Sequence, residues 1–92
     1  MLHEERSALT VQTLDMKRAI DSLREELEAI DWYFQRADAC ADPDLRDIMR
    51  HNAREEQEHA AMLIAWIKNH DAHMDEMLAK FLPRASAEIV RE

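Results

Sequence analysis

Met16, Ile20, Leu23, Leu27, Ile30 and Phe34 recur at steps of three and four, the spacing of one face of an α-helix. This stripe predicts a first helix over about Ser7 to Ala39. A second stripe, Met49, Ala53, Ala60, Leu63 and Ile67, predicts another from Pro43 to about Asn69. Between them, Ala41-Asp42-Pro43-Asp44 reads as a helix start. Asp42 can cap the first free N–H groups, Pro43 suits the first helical position, and Asp44 lies near the positive end of the helix dipole. With so short a link the two helices should pack antiparallel as a hairpin. Met74, Met77, Leu78 and Phe81 predict a shorter third helix over about Asp71 to Phe81, ended by Pro83. Residues 84–92 carry only Ile89 and Val90 as apolar anchors and are expected to form a flexible tail.

Composition sharpens this all-α picture. The 92 residues include no Gly and two Pro, so the tight turns of a hairpin-rich sheet are excluded, as are glycine-based nucleotide cradles. One domain, residues 1–92, is all that the length allows. Twenty Asp and Glu against twelve Lys and Arg leave a net charge of -8, which argues against nucleic acid or an anionic membrane surface as partner. The same charge favours cations. A single cysteine, Cys40, cannot form an internal disulfide, and a reducing, cytoplasmic location is the expectation. The polar start shows no targeting segment, and no apolar run approaches the ~18 residues of a membrane span. A core this small rarely contributes more than ~3–5 kcal/mol, so burial against a second copy is the default expectation.

Two carboxylates break the polar-outside rule. At about 100° per residue, Glu56 falls in the middle of the second stripe, and Glu26 lies at the edge of the first, roughly 40° from Ile30 and 60° from Leu23. An ionised carboxylate facing an apolar interior is costly unless it is paired or bound to metal. Glu56-Gln57-Glu58-His59 is also a Glu-x-x-His sequence, which projects a carboxylate and an imidazole to one side of a helix. Bundles that hold two iron or manganese ions use one Glu from each of two helices and a Glu-x-x-His from each of two others. Glu26, Glu56 and His59 make half of that set, and a symmetric dimer of hairpins would complete it. Oxygen and nitrogen donors without thiolates suit iron or manganese better than a structural zinc.

Blander readings stand beside this one. Glu-x-x-His is common in helices, and a buried Glu56 could instead pair with Arg36 or Arg46 across the hairpin. Glu25, Glu28 and Asp31 turn away from the first stripe, as a solvated helix face does. His70 and His73 could hold a transition ion, but near a helix start with Asp71 between them they read as surface. The six methionines serve as adaptable core filler.

The stretch Glu25-Glu26-Leu27-Glu28-Ala29-Ile30-Asp31-Trp32-Tyr33, followed by His51-Asn52 and Glu55-Glu56-Gln57-Glu58-His59-Ala60-Ala61-Met62, resembles the encapsulated ferritin family. The resemblance covers roughly Met16 to Leu82, two motifs joined by an Asp-Pro turn. It implies ferritin-like hairpins that complete a four-helix, di-iron ferroxidase centre only as dimers, the dimers assembling into a ring of ten subunits. The family's ligands fall on Glu26, Glu56 and His59, with Glu56 or Glu26 bridging and His59 as terminal ligand. It further implies a secondary metal site on the iron entry route at Glu25 and Glu28, with Trp32 beside it, and Tyr33 next to the centre. Iron is the implied cofactor and substrate, with Ca, Zn or Mn as secondary or substituting ions, and the implied partner is an encapsulin shell protein. Family members reach that nanocompartment by an apolar C-terminal peptide or by fusion to the shell. This sequence ends at Val90-Arg91-Glu92, so encapsulation is implied by resemblance alone.

The leading expectation is thus a ferroxidase serving iron storage or detoxification. The competing one is a non-enzymatic helical assembly or adaptor with a structural metal or none, and redox turnover separates the two. A di-metal protein acting on peroxide or an organic substrate is a third reading, for which the sequence offers no pocket.

Overall fold

The computed structural model describes residues 1–90. After a 3-10 turn at Arg6–Ala8, the chain forms α1 (Val11–Ala39), α2 (Pro43–His70), α3 (Ala72–Phe81) and a four-residue α4 (Ser86–Ile89). Every element among the described residues is helical, and none of the helices is long and apolar enough to cross a membrane.

Local chemistry sets the boundaries. The first helix starts later than Ser7, because Thr10 is extended and its Oγ1 accepts from the Thr13 N–H at 3.1 Å, capping α1. At the other end, Arg46 donates from Nε and Nη2 to the Cys40 carbonyl at 3.2 and 3.0 Å, tying α2 to the end of α1. Asp42 caps α2 by accepting from the Leu45 N–H at 2.8 Å, with Pro43 in the first turn as the sequence predicts. Asp71 ends α2 and caps α3 at once, accepting from the Met74 N–H at 2.9 Å. Lys68 reaches over this joint to Asp75 at 3.0 Å. Beyond Pro83, the expected tail contains the turn of α4, with Val90 exposed; Arg91 and Glu92 lie outside the described residues.

α1 and α2 pack along each other as the hairpin, and α3 packs on α2. Their seam is built from four alanines, Ala19 and Ala37 on α1 with Ala53 and Ala60 on α2, and from one larger residue, Ile67. Much of the predicted first stripe lies off this seam, with Ile20, Leu27 and Phe34 exposed at 43%, 53% and 42%. The stripe is wider than one neighbouring helix can cover, and the alanines, which allow the closest approach, take the contact line. Leu45, Ile48 and Met62 on α2 are exposed as well. The radius of gyration is 17.1 Å within extents of 50 × 38 × 19 Å, against about 12 Å for a compact globule of this length. The hairpin is elongated, and it leaves wide apolar flanks uncovered.

Candidate metal centre

The alanine seam decides where Glu26 goes. Glu26 follows Ala19 by seven residues, about 20° from it around the helix, so it stands on the contact line rather than at the stripe's edge. Across the seam, Glu56 sits one turn from both Ala53 and Ala60, whose small side chains leave room for the two carboxylates. His59, three residues on, projects from the same side of α2. One ligand atom from each of Glu26, Glu56 and His59 lies within 4.8 Å of the other two. His59 Nδ1 is 3.4 Å from Glu56 Oε2 and 3.6 Å from Glu26 Oε2. The three residues that periodicity singled out are one cluster in space.

Its electrostatics are unbalanced. The Glu26 and Glu56 side chains are only 23% and 25% exposed, and no Lys or Arg forms an ion pair with either among the described residues. Glu26 Oε2 is buried and accepts no hydrogen bond from the described residues, since 3.6 Å to the imidazole is too long for one. A buried, unpaired carboxylate oxygen disfavours the folded chain unless a cation completes it. The arginines that could have neutralised Glu56 are engaged elsewhere: Arg46 on the Cys40 carbonyl, Arg36 over the Trp32 and Tyr33 rings. Two hard oxygen donors and one imidazole nitrogen fit iron or manganese, which take more donors than three. Taken as a ligand set, the three residues would fill only part of a coordination sphere. Its open side is marked by His59, 49% exposed, and by the exposed Met62 one turn further on.

The remaining candidates are placed differently. Glu25 and Glu28 are exposed and do not join the cluster, which suits either a solvated face or a separate surface site. Trp32 is half-exposed, while Tyr33 is partly buried on nearly the same angular position as Glu26, two turns along. The Arg36 guanidinium lies 6.0 Å from the Trp32 ring centre and 5.5 Å from that of Tyr33, a bracket that sequence reasoning missed although the i, i+3 and i, i+4 spacing carried it. His70 is stacked on Trp66 at 3.9 Å, with its Nδ1 2.8 Å from the Trp66 carbonyl, and His73 lies 3.9 Å from Glu76. These histidines do not form a second cluster among the described residues.

Residues 1–85 match the model of the EncFtn-like family. An "Encapsulated ferritin-like protein" from Rhodospirillum rubrum is 49% identical over 80 residues, covering 87% of this chain and 57% of the relative. The chain thus spans little more than half the length of that relative. A "Ferritin-like protein" from Thermotoga maritima is 45% identical over 80 residues, covering 87% of this chain and 70% of that protein. Among solved structures, a protein from Nitrosomonas europaea superposes with a TM-score of 0.87 at 48% identity, over 92% of this chain and 93% of the other.

Proposed function

The chain belongs to the EncFtn-like family, and on that footing we propose that it is a ferroxidase whose di-iron centre is shared by two copies of the hairpin. The observation that carries this reading is the orphaned Glu26 Oε2 beside Glu56 and His59, half of a di-iron ligand set turned toward an open flank. Each copy would supply Glu26, Glu56 and His59, and the exposed apolar residues beside the cluster would be covered by the second copy. The substrate is Fe(II), two ions per pair of chains. Two ferrous ions give up one electron each, and with two protons these reduce one dioxygen to hydrogen peroxide, or one peroxide to two waters.

The side chains hold and bias the iron. Carboxylate oxygens are hard donors that favour the ferric state, so Glu26 and Glu56 make loss of the electron easier. His59, half-exposed at the edge of the cluster, adds a nitrogen donor where solvent iron arrives. Glu25 and Glu28, acidic and exposed one to two positions from Glu26, would gather Fe(II) on the outer face beside Trp32. An elongated hairpin encloses no storage cavity, so the oxidised iron must be handed to a container. The relative named as encapsulated supports an encapsulin shell for that role.

Oxygen uptake after addition of Fe(II) tests the reading. E26A, E56A and H59A should each abolish the fast phase, while wild-type rates in all three would remove the cluster from the reaction.

A further inference from the structure

Arg36 lies in the last turn of α1, where any cation is favoured by the helix dipole. Among the described residues it forms no ion pair. Its guanidinium instead faces two aromatic rings of the preceding turn, at 6.0 Å from the centre of Trp32 and 5.5 Å from that of Tyr33. Both distances are within the range of a cation–π contact. One charge thus spans the two rings, and neither ring is held by burial alone, since Trp32 is 51% exposed and Tyr33 is only partly buried. Long helical side chains lean toward the helix N-terminus, which from Tyr33 is the direction of Glu26, about 10 Å down the axis and about 20° around it.

From this geometry we infer that Arg36 is a positioning residue for iron oxidation: its guanidinium brackets the Trp32 and Tyr33 rings and holds the phenol toward the Glu26–Glu56–His59 cluster. The inference rests on the ferroxidase reading. The guanidinium spreads one charge over a planar group that reaches both rings; a methionine keeps the stem but loses the charge, and a lysine keeps the charge as a point. The consequence is a split between binding and turnover. Arg36 touches none of the three metal-ligating candidates, so its loss should leave iron uptake intact while slowing oxidation.

The test compares R36M and R36K with the unsubstituted chain. With Trp66→Phe as background, Trp32 is the sole tryptophan and its fluorescence reports the bracket without any metal. Acrylamide quenching of Trp32 should rise by about twofold in R36M and by less in R36K. In chains that keep Trp66, R36M should slow oxidation at saturating Fe(II) by about two- to fivefold, with unchanged iron uptake and partial recovery in R36K. An effect confined to the helix end would lower helix stability and leave quenching and rate alone, which overturns the inference. So does quenching that rises with no change in rate. If the unsubstituted chain fails to oxidise iron, the ferroxidase reading falls and this role with it. An active chain whose R36M variant keeps both shielding and rate removes the Arg36 role alone.

Discussion

Glu26 Oε2 lies 3.6 Å from His59 Nδ1 across the hairpin seam, buried and with no hydrogen-bond donor among the described residues. The two residues belong to different helices, and among the described residues no Lys or Arg pairs with the carboxylates of the cluster. A seam evolved only for packing would carry an alanine at position 26, like Ala19 and Ala37 on the same line. The cluster stores an electrostatic cost in the metal-free chain.

That cost predicts a trade between stability and function. In metal-free buffer, Glu26→Leu should stabilise the fold by about 1 kcal/mol, a rise in Tm of about 4–8 °C for a domain of this size. The same variant should lose iron binding. Calorimetry on the apo protein checks this, and a destabilised E26L would mean that Glu26 has a structural partner.

Coupling between metal and assembly is the second prediction. If ligands come from two chains, metal binds only the paired state and stabilises it by mass action. Native mass spectrometry of the apo protein at increasing Fe(II) should move the population toward even-numbered assemblies, and H59A should blunt that shift. An unchanged mass distribution would show that metal and assembly are not coupled.

Much of this was legible in the sequence, and the exceptions have a common cause. Asp42-Pro43 announced the turn, and Glu-x-x-His with its stripe-centred Glu56 announced the cluster. What periodicity could not fix was which line of the wide apolar face meets the partner helix. Ile20, Leu27 and Phe34 looked like core by hydropathy, yet the close approach of two helices is set by Ala19, Ala37, Ala53 and Ala60, residues that carry little hydropathic signal. For that reason Glu26 read as an edge residue and proved to be a seam residue. Thr10 displaced the start of α1 for a similarly local reason, a cap that outcompetes the run of residues before it.

The hairpin turn gives a stability prediction. Removing the cap with Asp42→Ala should cost about 1 kcal/mol, because the Leu45 N–H loses its acceptor. Urea unfolding followed by circular dichroism reads it, and the midpoint should fall with an unchanged slope. A change of less than a few tenths of a kcal/mol would show that Pro43 alone sets the helix start.

Surface charge on α1 adds a pH signature. Lys17 hydrogen-bonds Asp21 at 2.8 Å and holds that carboxyl below its ordinary value of 3.8, while Asp21 raises the Lys17 ammonium above 10.5. The Asp21 contribution is present above 3.8 and is lost as pH falls through the lower folded value. The Lys17 contribution is present below 10.5 and is lost as pH rises through the higher folded value. The stability gap between wild type and D21N should therefore be flat near neutrality, shrinking at both extremes and with added salt. A gap that grows toward acid would contradict the pairing.

Anaerobic Fe(II) titration followed by admission of air, with native mass and near-UV absorbance recorded throughout, tests the central claim most directly. Uptake should saturate at two irons per two chains, and air should bring a rapid rise in ferric absorbance. Iron that fails to bind, or that oxidises no faster than in buffer, would contradict a shared ferroxidase centre at Glu26, Glu56 and His59.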